Sequence, residues 1–394
     1  MAGALAGLKI LDFTTLLPGP FATMCLADMG ADVLRIISGS RPDLVDFTPP
    51  FIPGTKLSAA SAQLGRNKRV MALNLKDDRA LRVIHQILAE YDIVIEQFRP
   101  GVMSKLKLDY DSLKAVNPRL IYCSLTGYGQ TGPMRDRAGH DINYIALSGV
   151  ASYSGKKDSG PPLNGMQIAD VASGSYNSVI GILAAVIYRQ HTGKGQHIDI
   201  SMTDGMIAFN AVQGACFLLD GKEPGREEIL LNGASMYDYY ETKDGRYVSF
   251  GGLEPKFFSA FCQKIGRPDL SDGGVMPKDC AKIKEEVRMI IKGKTMDEWI
   301  TLFNTTDACL EPVLTLSEAL GGPLVHNRKM VVDVPGPGGK KIKQIANPIK
   351  FSESAPEYRY VGVPVDGANT IDIMKSLGYT GAEIEEFAKT GLFN

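Results

Sequence analysis

Short apolar runs alternate with amphipathic stretches through the first half of the chain. Residues 8–13, 32–37, 69–75, 92–96 and 120–125 carry the aliphatic and β-branched content of strands. Residues 21–29 and 77–90 show helical spacing between them. Leu17-Pro18-Gly19-Pro20 reads as a turn, with Pro20 in the first turn of a helix, where a missing N–H costs little. Gly30 fits the end of that helix. Strands alternating with helices predict an α/β fold, a doubly wound, Rossmann-like, mostly parallel sheet. Such sheets bind ligands beyond the carboxyl ends of their strands. The turn at 17–20 does not follow the glycine fingerprint of dinucleotide sites, so the topology does not imply a nicotinamide cofactor.

The pattern then changes. Residues 170–191 form a long stretch rich in Ala, Ser and Gly, which predicts a closely packed, central helix, and 197–201 reads as a strand. Residues 237–242 and 246–250 flank Lys243-Asp244-Gly245 as a β-hairpin. Helices follow at 255–265, 280–291 and 295–303, which makes this region a smaller α+β domain. Residues 370–390 are helical again, with a break at 378–381. The predicted layout is a large domain from 1–200 plus 330–394, a small domain at 226–320, and linkers at 201–225 and 321–329. Pro335-Gly336-Pro337-Gly338-Gly339 reads as a local turn.

Composition narrows the classes. A formal net charge of -1 gives no footprint for nucleic acid or an anionic membrane. No run approaches the ~20 apolar residues of a membrane span. Six cysteines are scattered without zinc spacing, as expected of reduced thiols in a cytoplasmic protein without a metal site. The first seven residues lack a basic region and are not read as a signal peptide, and the last residues are no peroxisomal tripeptide.

Candidate chemistry gathers at three places. Gly139-His140-Asp141-Ile142-Asn143-Tyr144 sets a histidine beside a carboxylate. Asp170 lies in Gln167-Ile168-Ala169-Asp170, and Glu254 in Gly251-Gly252-Leu253-Glu254-Pro255. A histidine with separate carboxylates suits proton transfer. Taken singly, each has a plainer reading: His140 as a turn histidine capping the next helix, Asp170 as an N-cap, Glu254 as a surface acid opening a helix.

In order and spacing, several further motifs fall into one pattern. They include Leu17-Pro18-Gly19-Pro20-Phe21, Ala27-Asp28-Met29-Gly30-Ala31-Asp32-Val33, Gly65-Arg66-Asn67-Lys68-Arg69, Phe98-Arg99-Pro100-Gly101 and Gly127-Tyr128-Gly129-Gln130-Thr131-Gly132-Pro133. With the Asp170 segment, Thr192-Gly193-Lys194-Gly195-Gln196 and Thr306-Asp307-Ala308-Cys309-Leu310-Glu311-Pro312-Val313, the chain resembles the family III CoA-transferases and α-methylacyl-CoA racemases, the CaiB/BaiF group. The intact His140 turn and Glu254-Pro255 resemble the racemase branch.

The resemblance implies His140 and Asp170 as an acid–base pair flanking the α-carbon of a 2-methylacyl-CoA, Glu254 as the acid orienting His140, and the Asp141 N–H as an oxyanion donor. For a CoA ligand, Arg35, Lys76 and Arg99, at strand ends or in the loops after them, are expected contacts by the crevice rule, Gly127 and Gly129 would let a backbone approach the pantetheine arm, and Leu73 and Tyr128 are expected contacts beside them. Any one of these basic residues is equally read as a solvated surface charge. No cofactor is expected, CoA being part of the substrate. The partners implied are an acyl-CoA and a second copy of the chain, in an interlocked homodimer with a shared active site. Met202, Met206, Met236 and Tyr237 are candidates for an adaptable apolar pocket or for core. The alternative chemistry is CoA transfer with Asp170 as nucleophile. A non-catalytic CoA-binding scaffold is a third reading.

Overall fold

The computed structural model describes residues 3–39, 42–363 and 367–393. Six strands form one parallel sheet: β1 (Lys9–Asp12), β2 (Asp32–Ile37), β3 (Lys68–Ala72), β4 (Ile93–Glu96), β5 (Ile121–Thr126) and β6 (Gln196–Ser201), in the order β3-β2-β1-β4-β5-β6. Every neighbouring pair in it is parallel. The strand order reverses between β1 and β4, the position where open sheets of this kind leave a crevice.

Both faces of the sheet are covered, which is why its strands read as continuous apolar runs. On one face Leu11, Leu34, Met71, Val94 and Tyr122 pack with the helix Asp78–Ile87 and the helices Thr370–Ser376 and Gly381–Lys389. On the other Ile10, Val33, Ile95 and Cys123 pack with the helices Pro18–Asp28 and Asn177–Thr192. Alternate residues of each strand therefore serve alternate layers. The outer edge of β3 is closed by the C-terminal segment, where Asn369 Oδ1 accepts the Val70 N–H at 2.9 Å and Thr370 Oγ1 the Ala72 N–H at 2.9 Å.

A buried polar network fixes the helix Pro18–Asp28 over the sheet. Thr23 Oγ1 donates to Asp12 Oδ2 at 2.6 Å, and Lys68 Nζ donates to Thr23 Oγ1 at 2.6 Å and to Pro20 O at 2.9 Å. Lys68 and Asp12 are both fully buried. Burial pushes the Lys68 ammonium down to about 8, against the pull of Asp12.

The chain divides into two compact units, residues 3–148, 165–208 and 325–393 in the first and 149–164 and 209–324 in the second. The expected boundaries put 149–164 in the large domain. Instead, Tyr153 Oη donates to Asn210 Oδ1 at 2.7 Å, and Lys156 pairs with Glu227 and Asp238, which ties that segment to the second unit. The second unit holds the hairpin β7 (Asp238–Glu241) and β8 (Tyr247–Phe250), extended by β9 (Leu310–Pro312). Its core gathers Phe250, Phe258, Phe261 and Trp299 from that sheet and the helices Pro255–Lys264 and Met296–Phe303. The expected turn at 335–339 belongs to a further hairpin, β10 (Val331–Pro335) with β11 (Lys341–Ile345), in the first unit.

The long helix expected at 170–191 is present. Residues Ala169–Thr192 run as a single helix of 24 residues, long and apolar enough by length and composition to cross a membrane. Its hydroxyl and small residues break any apolar run, so the sequence does not read as a span. Its inner face, Val179, Ile182, Ala185 and Val186, belongs to the core against the sheet. All six cysteines are free thiols.

Candidate active site

A cleft of about 430 Å³ opens at the carboxyl ends of β1, β4 and β5, where the sheet order reverses. Thr15 and Leu16 follow β1, Gln97 to Pro100 follow β4, and Leu125 to Tyr128 end and follow β5. Gly139, His140 and Tyr144 close one side. The crevice rule, applied to a topology read from the sequence, leads to the same place as the histidine turn.

His140 is the N-cap residue of the helix Asp141–Leu147. Its backbone N–H donates to Asn143 Oδ1 at 3.0 Å, while its ring makes no capping bond. The plain reading of His140 as a turn histidine capping the next helix holds for its backbone. Asn143 Oδ1 closes the turn, and His140 is one of the residues lining the cleft.

Asp170 is not an N-cap either. It is the second residue of a π-helical segment, Ala169–Tyr176, that begins the long helix. π-helical turns are uncommon and concentrate at functional sites. The cap comes from outside: Asp141 Oδ1 accepts the N–H of Ala169 at 2.7 Å and of Asp170 at 3.1 Å. The residue after His140 is thus bonded to the backbone of Asp170, and the Asp170 carboxylate takes no part in the cap. The helix start favours this negative charge.

Asp170 is not among the residues lining the cleft, but the charge of its carboxyl is felt by His140, which is. Burial pushes its carboxyl up to about 6, neighbouring Asp141 pushes in the same direction, and His140 pulls it down. Small residues allow the close packing around it. Ser173 Oγ donates to Met202 O at 2.6 Å, Ser175 Oγ to Pro18 O at 2.7 Å, and a Cβ on Gly205 would meet Ser173 Oγ at 1.9 Å.

Tyr144 Oη donates to Gly139 O at 2.5 Å, and its ring meets Tyr128 edge-on with centroids 5.3 Å apart. A Cβ on Gly127 would lie 2.4 Å from the Tyr144 ring. Gly127 is therefore needed for this aromatic wall as well as for any ligand.

The expected CoA contacts separate into groups. Arg99, Gly127 and Tyr128 line the cleft. Gly129 follows with φ +81°, its N–H donated to Thr126 Oγ1 at 3.0 Å. Arg35 lines a second chamber of about 260 Å³ at the end of β2, with Thr15 and Phe98 common to both cavities. Leu73 is fully buried in the core and Lys76 is exposed; neither lines either cavity. Arg135 and Arg137 also line the cleft and were missed. They stand just before the Gly139 turn, and a basic pair there was the available cue. Among the described residues no group of three His, Cys, Asp or Glu side chains is arranged to hold a metal ion.

Glu254 stands in the second unit as the exposed N-cap residue of the helix Pro255–Lys264, and its side chain makes no capping bond. That unit has its own cavity of about 740 Å³, lined by Tyr153, Tyr237, Tyr239 and Phe250 among others. Of the pocket candidates, Met202 lines the cleft and Tyr237 this second cavity, while Met206 and Met236 are core residues.

The family model for CoA-transferase family III matches residues 5–370. The chain belongs to CoA-transferase family III. Within the family it is 34% identical over 386 residues to alpha-methylacyl-CoA racemase of Homo sapiens, covering 97% of this chain and 95% of the relative. It is 31% identical over 406 residues to succinyl-CoA:glutarate CoA-transferase of Homo sapiens, covering 98% and 89%. A solved structure of a CAIB/BAIF family protein from Brucella suis superposes with a TM-score of 0.85 at 28% identity, covering 96% of this chain and all of that one. Racemases and CoA-transferases thus stand at nearly equal distance from this family III chain.

Proposed function

We propose that the protein racemises 2-methylacyl-CoA thioesters by moving one proton off and onto the α-carbon. The observation that carries this reading is the Asp141 bridge. One carboxylate joins the turn bearing His140, which lines the cleft, to the backbone of Asp170.

The chemistry follows from the arrangement. An α-proton next to a thioester is weakly acidic, so removing it needs a placed base and stabilisation of the enolate oxygen. Inversion needs an acid on the opposite face. Asp170, with its carboxyl near 6, can hold or release a proton close to neutral pH, and His140 supplies the other group. The Asp141 N–H, at the first position of its helix, is the enolate donor in this reading. CoA enters as part of the substrate. Its pantetheine arm occupies the cleft, with Arg99 beside it, and its nucleotide the chamber that shares Thr15 and Phe98.

The reading extends to a homodimer in which the partner subunit's Glu254 orients His140. It is supported by the outward face of the helix Asn177–Thr192, where Ile180, Ile187 and Tyr188 are 63%, 56% and 46% exposed. Exposed apolar faces of that kind mark association surfaces.

Incubation of a single enantiomer of a 2-methylacyl-CoA in D2O tests the reaction. Deuterium enters the α-position in step with loss of optical activity. With His140→Ala, exchange persists from one enantiomer and inversion stops. Absence of exchange from active protein refutes the racemase. Label passing between a free acid and acyl-CoA, with Asp170 trapped by hydroxylamine, would instead establish CoA transfer.

A further inference from the structure

Arg35 reaches the second chamber from β2 at only 6% exposure. Its Nη2 donates to Asp43 Oδ2 at 2.6 Å, with both side chains buried. The same carboxylate accepts two backbone N–H groups, Leu16 at 2.9 Å and Val45 at 3.1 Å. A guanidinium with two backbone donors is the set that usually receives a phosphate at the end of a parallel strand. Here a side chain of the protein already fills it. Among the described residues Arg35 Nε is buried without a partner, so the guanidinium is turned to Asp43 through Nη2. Asp46, also buried, adds a second carboxyl to the chamber wall, with Ser61 Oγ donating to it at 2.6 Å. The remaining walls include Ile36 and Leu75 and the rings of Phe47 and Phe98, all apolar. A planar heteroaromatic base suits such walls, whereas a phosphate dianion would have to displace Asp43 and face Asp46.

We propose that Asp43 is a specificity-determining residue: it occupies the anion position at Arg35, so that the chamber recognises the base of the nucleotide and leaves its ribose 3′-phosphate unread. This rests on the reading of the ligand as a CoA thioester. Arg35 is then a positioning residue, holding Asp43 and through it the Leu16 backbone that also lines the cleft with His140.

The test compares one acyl group carried on CoA, on dephospho-CoA and on pantetheine, using the full chain. Rates are read by α-deuterium exchange, and Kd for CoA and dephospho-CoA by calorimetry. The wild type treats CoA and dephospho-CoA alike, within about threefold in kcat/KM and Kd, while the pantetheine thioester loses about tenfold or more in KM with kcat kept. Asp43→Asn keeps an acceptor for Leu16 but removes the charge from Arg35, and shifts preference toward the 3′-phosphate by about tenfold. A wild type that prefers CoA by tenfold or more overturns the proposal, and this comparison needs no variant to fold. A folded Asp43→Asn with no shift in preference overturns it as well. Pantetheine thioester used as well as CoA removes the base-reading role while leaving the thioester reaction intact. Failure of both nucleotides to bind refutes the CoA reading itself, and this inference with it.

Discussion

Asp141 holds Asp170 by its backbone: the Asp141 carboxylate accepts the Asp170 N–H at 3.1 Å, next to that of Ala169 at 2.7 Å. The link spans 29 residues and fixes how the His140 turn and the long helix approach each other. Asp141→Ala should therefore act on geometry more than on binding. Loss of the cap costs about 1 kcal/mol of stability. Misplacement of the pair costs roughly 10²-fold in kcat, with KM for the thioester held within about twofold. Asp141→Asn keeps the acceptor and recovers most of kcat. Steady-state kinetics decides this, and a rise in KM with unchanged kcat would assign Asp141 to ligand binding instead.

The pair should give the same pH profile from either enantiomer. The two productive forms differ only in whether one proton sits on Asp170 or on His140, so total protonation is equal. kcat/KM falls on the acid side once both groups hold a proton, the Asp170 carboxyl being raised to about 6. It falls on the alkaline side when neither does. Asp170→Asn removes inversion at every pH. Profiles that differ between enantiomers would mean the groups do not share a single proton.

Asp170 also carries a stability cost with a definite sign. Its carboxyl is raised from the ordinary 3.8 to about 6, chiefly by burial. The folded protein thus binds this proton more tightly than the unfolded chain, and the cost of the buried charge is fully present above pH 6. It fades as pH falls from about 6 toward 4. Asp170→Asn should gain about 1–2 kcal/mol at pH 8, after allowance for solvent screening, and lose that gain by about pH 4. Urea titrations at the two pH values measure it. Equal gain at both would show that the charge is not the source.

What could be read from the sequence was whatever leaves a periodic trace. The runs at 32–37 and 120–125 gave β2 and β5, and Lys243-Asp244-Gly245 gave the β7–β8 hairpin. β9 is three residues long and takes its conformation from pairing with β8, so its own residues say little. The hairpin at 331–345 looked like a bare turn because both strands are only five residues long, β10 ends on a proline and β11 carries two lysines. At the site, residue types and family spacing pointed to His140 and Asp170. The bonds that position them could not be read. The Asp141 cap and the Arg35–Asp43 pair join side chains to partners chosen by the fold, and neither has a fixed offset in sequence. Asp141 was expected to act through its N–H, and its carboxylate turned out to have a structural partner as well.

Gly127 separates ligand access from wall packing. A Cβ there would stand 2.4 Å from the Tyr144 ring, whose hydroxyl is bonded to Gly139 O. Gly127→Ala should push Tyr144 off the cleft wall and shift the His140 turn. The expected result is a loss of about 10–10²-fold in kcat/KM, together with destabilisation of about 1–3 kcal/mol from overpacking. Adding Tyr144→Phe keeps the clash, whereas Tyr144→Ala relieves it and recovers part of the stability. No recovery in Gly127→Ala/Tyr144→Ala would place the strain elsewhere.

Arg66 ties several elements of the first unit together outside the site. Its side chain is fully buried and forks onto Asp28, Nε to Oδ1 at 2.9 Å and Nη2 to Oδ2 at 2.6 Å. Nη1 donates to Gln344 Oε1 and to Ile345 O, both at 3.0 Å, and the guanidinium lies 4.9 Å from the centre of the Tyr358 ring. One planar cation thereby joins the first helix to β11 and the chain beyond it. Lysine offers a point charge and cannot reproduce the fork. Removing the cation alone leaves Asp28 charged in a dry site, where burial already raises its carboxyl. Arg66→Met should cost about 3–5 kcal/mol, while removing both charges in Arg66→Met/Asp28→Asn should cost clearly less, because neither charge is left unpaired. Arg66→Lys should fall between wild type and Arg66→Met. Denaturant midpoints at constant m-value measure the series. If the double variant is as unstable as the sum of the singles, the pair is not coupled, and the stability lies instead in the bonds Arg66 makes to β11.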